Sequence, residues 1–180
     1  MKLLFLDTET TGLRNPRLVE LAYSVGGESC VVQGFFKPPV PIEIGAMATH
    51  GITEEMIAQA PLFQNSADFQ KLQTMLDDHI LVCHNLKYDV EVLINEGMKV
   101  KQGLCTLDLS KRIHPMVPSH QLQQLRYYLK LNGSAAAHSG FGDVIILKKL
   151  FKSLTSHYSE IHGEEAMKQF ISSRMQTFTS

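Results

Sequence analysis

Asp7 and Glu9 stand two residues apart at the end of the apolar run in "LLFLDTETTGL". An extended backbone points alternate residues to one face, so the two carboxylates share a side. Two anions held together cost free energy unless a cation lies between them. Two further acids sit in apolar surroundings, Asp89 in "LVCHNLKYDVEVL" and Asp143 in "SGFGDVIILKKL". A buried, unpaired carboxylate is costly, so each of these needs a partner. Lys87 and Lys111 are candidate ion-pair partners, and metal ions are the alternative. Carboxylate oxygens suit hard cations, Mg²⁺ or Mn²⁺, rather than zinc. Four such groups can hold two ions about 4 Å apart, as in two-metal displacement at phosphorus. His138, five residues before Asp143, could serve as general base for an attacking water.

These side chains must be positioned by strand ends and helix starts. Leu3 to Leu6 reads as a buried strand, with Thr10-Thr11-Gly12 as its turn. "LVELAYSV" (18–25) and "SCVVQGFF" (29–36) read as two more strands, joined through Gly26-Gly27-Glu28. The proline-rich "KPPVPI" breaks the pattern. "ITEEMIAQA" then predicts a helix capped by Thr53, and "SADFQKLQTMLDDH" predicts one capped by Ser66. "ILVCHN" is a buried strand leading into the helix "LKYDVEVLINEG", whose inner face is marked by Val90, Leu93 and Ile94. "SHQLQQLRYYLKL", "DVIILKKLFKSL" and "EEAMKQFISSRM" predict the remaining helices. The fold class is α/β: a mixed sheet, antiparallel meander first and a parallel strand-helix unit after it, flanked by helices.

A chain of 180 residues fits a single core. No apolar run reaches the ~18 residues of a membrane helix, and the N-terminus does not read as a signal peptide. Cys30, Cys83 and Cys105 form no C-x-x-C pair, which predicts neither a disulfide framework nor a zinc site and favours a reducing, cytoplasmic setting. Residues 1–86 carry five Lys/Arg and ten Asp/Glu, while residues 87–152 carry ten and five. Proteins that grip long duplexes by their phosphates are usually far more basic overall. A nucleic-acid partner would therefore be held locally, at an end. His79, His114, His120, His157 and His162 are read as helix-end or loop residues, mostly surface groups without chemistry.

"FLDTETTGL", "HGIT", "LVCHNLKYDVEVL" and "H-SGFG-D" occur in the order and spacing of the DEDDh exonucleases. The chain resembles that group, which includes proofreading epsilon subunits of DNA polymerase III and ribonuclease T, over residues 1–152. Residues 153–180 are then a C-terminal helical extension packed on the same domain. The resemblance implies a ribonuclease H-like fold and two Mg²⁺ or Mn²⁺ ions. It makes Asp7, Glu9, Asp89 and Asp143 the metal ligands and His138 the general base. It also implies that the stretch containing Thr8, Thr10, Gly12 and Leu13 approaches the terminal nucleotide, with Leu13 as a wedge against its base. His84, Asn85 and Tyr88 would line the site, and His50 would lie near the substrate terminus.

One motif departs from the family. The usual H-R-A-x-x-D is "HSGFGD" here, with glycine in place of better helix formers. That departure predicts His138 on a mobile loop that orders only with substrate and metals. The implied reaction is 3′-to-5′ hydrolysis of single-stranded DNA to nucleoside 5′-monophosphates, with Leu13, Tyr88 and Phe141 as apolar surface for the last bases. RNA as substrate, and a catalytically weak end-binding or polymerase-associated module, stay open as alternatives. A homodimer or polymerase association is compatible with the resemblance, and no membrane partner is expected.

Overall fold

A computed structural model describes residues 1–27, 30–131 and 139–178. Its sheet has six strands: β1 (Leu3–Thr10), β2 (Leu18–Val25), β3 (Val32–Phe35), β4 (Ile80–Cys83), β5 (Gln102–Cys105) and β6 (Gln176–Thr177). Their spatial order is β3-β2-β1-β4-β5-β6. β1 lies between an antiparallel neighbour, β2, and a parallel one, β4. β4 and β5 are also parallel, as the strand-helix reading requires, and β6 closes the far edge antiparallel to β5.

Seven helices accompany the sheet among the described residues: α1 (Ile44–His50), α2 (Ala67–Asp78), α3 (Leu86–Asn95), α4 (Thr106–Ile113), α5 (Leu122–Tyr128), α6 (Gly140–His162) and α7 (Glu164–Ser173). Two apolar layers result. On one face Leu4, Leu6, Leu81 and Cys83 pack with Leu72 and Leu76 of α2 and Val90 and Leu93 of α3. On the other Phe5, Val82 and Leu104 pack with Val144, Leu147, Leu150 and Leu154 of α6 and Ile171 of α7. α3 can lie close on β5 because that strand has Gly103, where a Cβ would sit 2.8 Å from the Leu86 side chain.

Several expectations need correction. β1 runs on past Leu6 through Thr10, because its partner β2 supplies a ladder as far as Leu18. "ITEEMIAQA" is a series of three-residue turns, with Met56, Ala58 and Ala60 bonded to carbonyls three back. Pro61 follows at once, and Ile52 and Ile57 are drawn into a small core with Val19 and Ile42. The helix forms earlier instead, as α1. The Ser66 hydroxyl donates back to the Phe63 carbonyl rather than capping α2. Ile94 is 54% exposed; Leu86 and Val92 complete the inner face of α3. β3 begins at Val32, and Glu28 and Ser29 lie outside the described residues. His157 lies in the middle of α6 rather than at a helix end or in a loop, whereas His162 ends that helix. The rings of His114 and His157 stack 4.7 Å apart, so this pair is part of helix packing.

Candidate active site

The site is built on β1 because that strand is paired on both sides. Asp7 faces Ala22 and Glu9 faces Glu20 across the β2 ladder, and the register slips only after Glu9. Both acids therefore point to the side on which α6 packs, and α6 begins with Gly140 and delivers Asp143 in its first turn. Gly140 suits this approach: a Cβ there would lie 3.0 Å from the Glu20 carboxylate and 3.1 Å from Ala22. One glycine of the "SGFG" departure thus has a steric role.

Carboxylate oxygens of Asp7, Glu9 and Asp143 come within 4.8 Å of one another. They open on a cleft of about 380 Å³ lined also by Thr8, His84, Gln121, Leu122 and Gln123. Burial pushes Asp7 well above the usual carboxylate range, and the charges of Asp89, Asp143, Glu9 and Glu20 push it further. Glu9 is raised to about 8 by burial first and then by Asp143, Glu20 and Asp89. These shifts are the mark of a carboxylate cluster that protons or cations must hold together. All the donors are oxygens, so the cluster fits a hard divalent cation.

Asp89 stands beside this trio rather than in it. It is buried on α3, accepts a 3.0 Å hydrogen bond from the Thr8 hydroxyl, and is raised to about 7 chiefly by burial. Thr8 is on the opposite face of β1 from Asp7 and Glu9. The strand thus places two acids on one side and orients a third from the other.

The turn after β1 is pinned from two directions. The Tyr88 hydroxyl donates to the Gly12 carbonyl at 2.9 Å and lies 2.5 Å from the Thr10 hydroxyl. His50 accepts from the Ile52 amide at Nδ1 and lies 3.2 Å from the Thr10 carbonyl through Nε2. With Nε2–H donating, that histidine is neutral, in keeping with a pKa lowered mainly by burial. His84 is held in the same way, between the Thr106 hydroxyl at 2.9 Å and the His120 carbonyl at 2.8 Å. Burial depresses it to about 4, so it is a neutral wall of the cleft. Asn85 takes a left-handed conformation, φ 74°, at the start of α3. Leu13 is 82% exposed and Phe141 41%, so both offer apolar surface to solvent. His138 lies outside the described residues.

The model of the RNase T family, described as an exonuclease, matches residues 4–151. The chain belongs to the RNase T exonuclease family. With the family comes the enzyme class, a 3′-to-5′ exonuclease acting on phosphodiester bonds. A DNA polymerase III epsilon subunit from Buchnera aphidicola is 27% identical over 91% of this chain and 77% of its own length. Exonuclease DPD1 of Arabidopsis thaliana is 30% identical over 83% of this chain and 54% of its own. Against the PolC-type polymerase III of Bacillus cereus, 30% identical, the chain spans only 10% of that protein's length. Among solved structures, Exonuclease X in complex with 5′-overhanging duplex DNA superposes with TM-score 0.71 at 27% identity. That match covers 86% of this chain and 91% of the other. The mixed sheet and its helices are the ribonuclease H-like fold of these exonucleases.

Three residues of this RNase T-family site escape sequence reasoning. Glu20 is 2% exposed and directly opposite Glu9, a like-charge pair that is unfavourable across strands. Its signal is an acid inside the apolar run "LVELAYSV", legible only once the β1–β2 register is known. Gln123 of α5 donates its amide to Asp143 and is itself held by Arg126 at 3.2 Å. His120 supplies the carbonyl that fixes His84 and bonds Ser110 through its ring at 2.9 Å. It is therefore part of the cleft's supporting wall rather than one of the idle surface histidines.

Proposed function

We propose that this chain removes nucleotides one at a time from the 3′ end of single-stranded DNA, releasing nucleoside 5′-monophosphates. The observation that carries this reading is the trio Asp7, Glu9 and Asp143, three carboxylates with oxygens within 4.8 Å on an open cleft. Asp7, Glu9, Asp89 and Asp143 would hold two divalent cations, Mg²⁺ or Mn²⁺. Cations there supply the charge that activates a water and offsets the negative charge growing on the leaving oxygen. His138, five residues before Asp143, is the proposed base that takes the water's proton. Leu13, exposed in the loop after β1, and Phe141, exposed at the start of α6, would stack on the terminal bases, with Thr8, Thr10 and Gly12 shaping the approach to the last phosphate. His50 and Tyr88 act by fixing the turn that carries Gly12 and Leu13. His84 walls the cleft, and Asn85 starts α3 beside it. Exonuclease X, similar in fold, is bound to overhanging duplex DNA, which supports DNA as the polymer. The Buchnera relative, a polymerase subunit by name, supports a role beside DNA synthesis or repair.

A time course on 5′-labelled single-stranded DNA and RNA of one sequence tests this, with Mg²⁺, Mn²⁺ or chelator. The expected result is a metal-dependent ladder shortening from the 3′ end, faster on DNA and lost in both Asp7→Ala and His138→Ala. A faster ladder on RNA would replace the substrate. End binding without any ladder would replace the enzyme with a binding module.

A further inference from the structure

α5 starts at the carboxylate cleft and leads away from it. Gln121, Leu122 and Gln123 line the cleft, and the Gln123 amide donates to Asp143. Beyond them the outward side of the helix carries Gln124, Tyr127 and Tyr128, all of them exposed. Tyr127 is 75% exposed, so two neighbouring aromatic rings stand in solvent on one short helix. Gln121, Gln124 and Tyr128 follow one another at i, i+3 and i+7, the spacing of a single stripe that starts at the cleft. None of these residues is charged. The Gln124 amide donates to the Gln121 side-chain oxygen at 2.9 Å, which ties the start of the stripe together. The Arg126 guanidinium lies 5.5 Å from the centre of the Tyr127 ring and donates to the Gln123 side-chain oxygen at 3.2 Å. The Tyr127 ring is thus steadied from one side by a group that is itself anchored at the cleft.

We propose that this stripe is a stacking track for unpaired bases of the substrate strand, upstream of those held at Leu13 and Phe141, with Tyr127 and Tyr128 as its platforms. The inference rests on the 3′-exonuclease reading above and adds to it a requirement on the strand. Tyr127 lies four residues past Gln123, about 6 Å along the helix axis at 1.5 Å per residue. Successive stacked bases are about 3.4 Å apart, so the rings are met roughly two bases beyond the cleft, by the third and fourth from the 3′ end. Two properties select bases as the occupant. The stripe is continuous with the cleft, so a strand leaving the carboxylates along α5 meets these rings next. The rings are also aromatic and uncharged, and every base has a π-face to lay on them, whatever the sequence. A base inside a duplex is already stacked and paired. The track therefore favours a single strand, or an overhang long enough to bring its fourth base to Tyr128.

The test is fluorescence anisotropy with a 5′-fluorescein DNA strand of about twelve nucleotides in chelator, which reads binding without hydrolysis. A second strand lacks the bases at the third and fourth positions from the 3′ end. The wild-type protein should bind the complete strand about tenfold more tightly than the abasic one. Tyr127→Ala combined with Tyr128→Ala should bind both strands equally, at the weaker affinity. Tyr127→Phe combined with Tyr128→Phe keeps both rings and should restore the difference. 2-Aminopurine at the third position should lose fluorescence on binding to the wild type, because stacking quenches it, and keep it with the alanine variant. The proposal is overturned if the wild type binds the two strands equally, or if the alanine variant still tells them apart. It is also overturned if the phenylalanine variant behaves like the alanine one, since the effect would then belong to the hydroxyls. The wild-type comparison needs no variant, so a folding defect cannot hide the answer. Hydrolysis with Mn²⁺ is read separately: absence of any ladder would remove the nuclease reading, and the binding comparison would still decide the track.

Discussion

Two acidic regions lie at the two ends of the loop that follows β1, and they are neutralised in opposite ways. At one end Glu96, 3% exposed, receives both arms of Arg17 at 2.8 and 3.0 Å, the Leu18 amide at 3.0 Å and the Gln64 amide at 2.6 Å. The hydrogen bond to Glu96 also raises Arg17 further. At the other end Asp7, Glu9 and Asp143 converge with Glu20 behind them, and the charges acting on Asp7 and Glu9 are those of other carboxylates. The first region is a finished ion pair that ties the loop to the end of α3. The second holds negative charge in excess, at a cost in folding free energy, and that excess is what a cation or a proton can relieve. Burial of acids therefore says little by itself; the identity of their neighbours separates structure from function.

The largest contrast comes from removing one acid at each end. Asp7→Ala should lower the exonuclease rate about a thousandfold, since several kcal/mol of charge stabilisation is lost at about 1.36 kcal/mol per tenfold. Its thermal midpoint without metal should equal or exceed the wild type, because a repelling charge is gone. Calorimetry showing a large loss of stability would remove the distinction. Glu96→Ala should do the reverse, costing about 3–5 kcal/mol of stability because Arg17 is left partly buried without its partner. Chemical denaturation measures that loss.

Acidity sharpens the comparison further. Glu9 is raised from 4.5 to about 8 and Asp89 from 3.8 to about 7. The folded metal-free protein thus holds protons that the unfolded chain releases. Its extra stability is complete below about pH 4 and is lost as pH rises through 7 and 8. Each pH unit between the folded and unfolded values is worth about 1.4 kcal/mol, so chemical denaturation of the metal-free protein should show a loss of several kcal/mol across this window. Saturating Mn²⁺ should flatten the curve at its alkaline end, and metal binding at neutral pH should release protons, read as a buffer-dependent heat. A smaller effect is expected for Gln123→Ala. Loss of the amide that orients Asp143, a proposed metal ligand, should weaken Mn²⁺ binding by about tenfold while leaving the fold intact.

Much of this is legible because strands advertise acids plainly. An apolar run that ends in alternate carboxylates fixes their shared face whatever the rest of the fold does, so Asp7 and Glu9 are readable from local periodicity. Asp143 is readable because an acid at the head of "DVIILKKL" has few bland explanations. What local pattern does not supply is pairing. Glu20 needs the β1–β2 register, Glu96 needs a partner 79 positions away, and Gln123 needs α5 laid across the start of α6. β5 and α4 escape reading because Gly103 and a run of only four residues give little strand signal. α1 is misplaced because Pro61 and the pull of Ile52 and Ile57 into their own small core outweigh the propensity of "ITEEMIAQA".

The slip in register between β1 and β2 falls after Glu9, not before it. Up to that point the strand behaves as a ruler with a two-residue graduation. A single inserted residue ahead of Leu6 would turn Leu6 and Thr8 toward the cleft and send both acids into the apolar layer on the opposite face, where Leu4 and Leu6 now lie. Past the pinned Thr10–Gly12 turn the same insertion would only lengthen the loop that leads to β2. Length is therefore tolerated in the loop beyond the turn that Tyr88 and His50 pin, and not at all ahead of the acids.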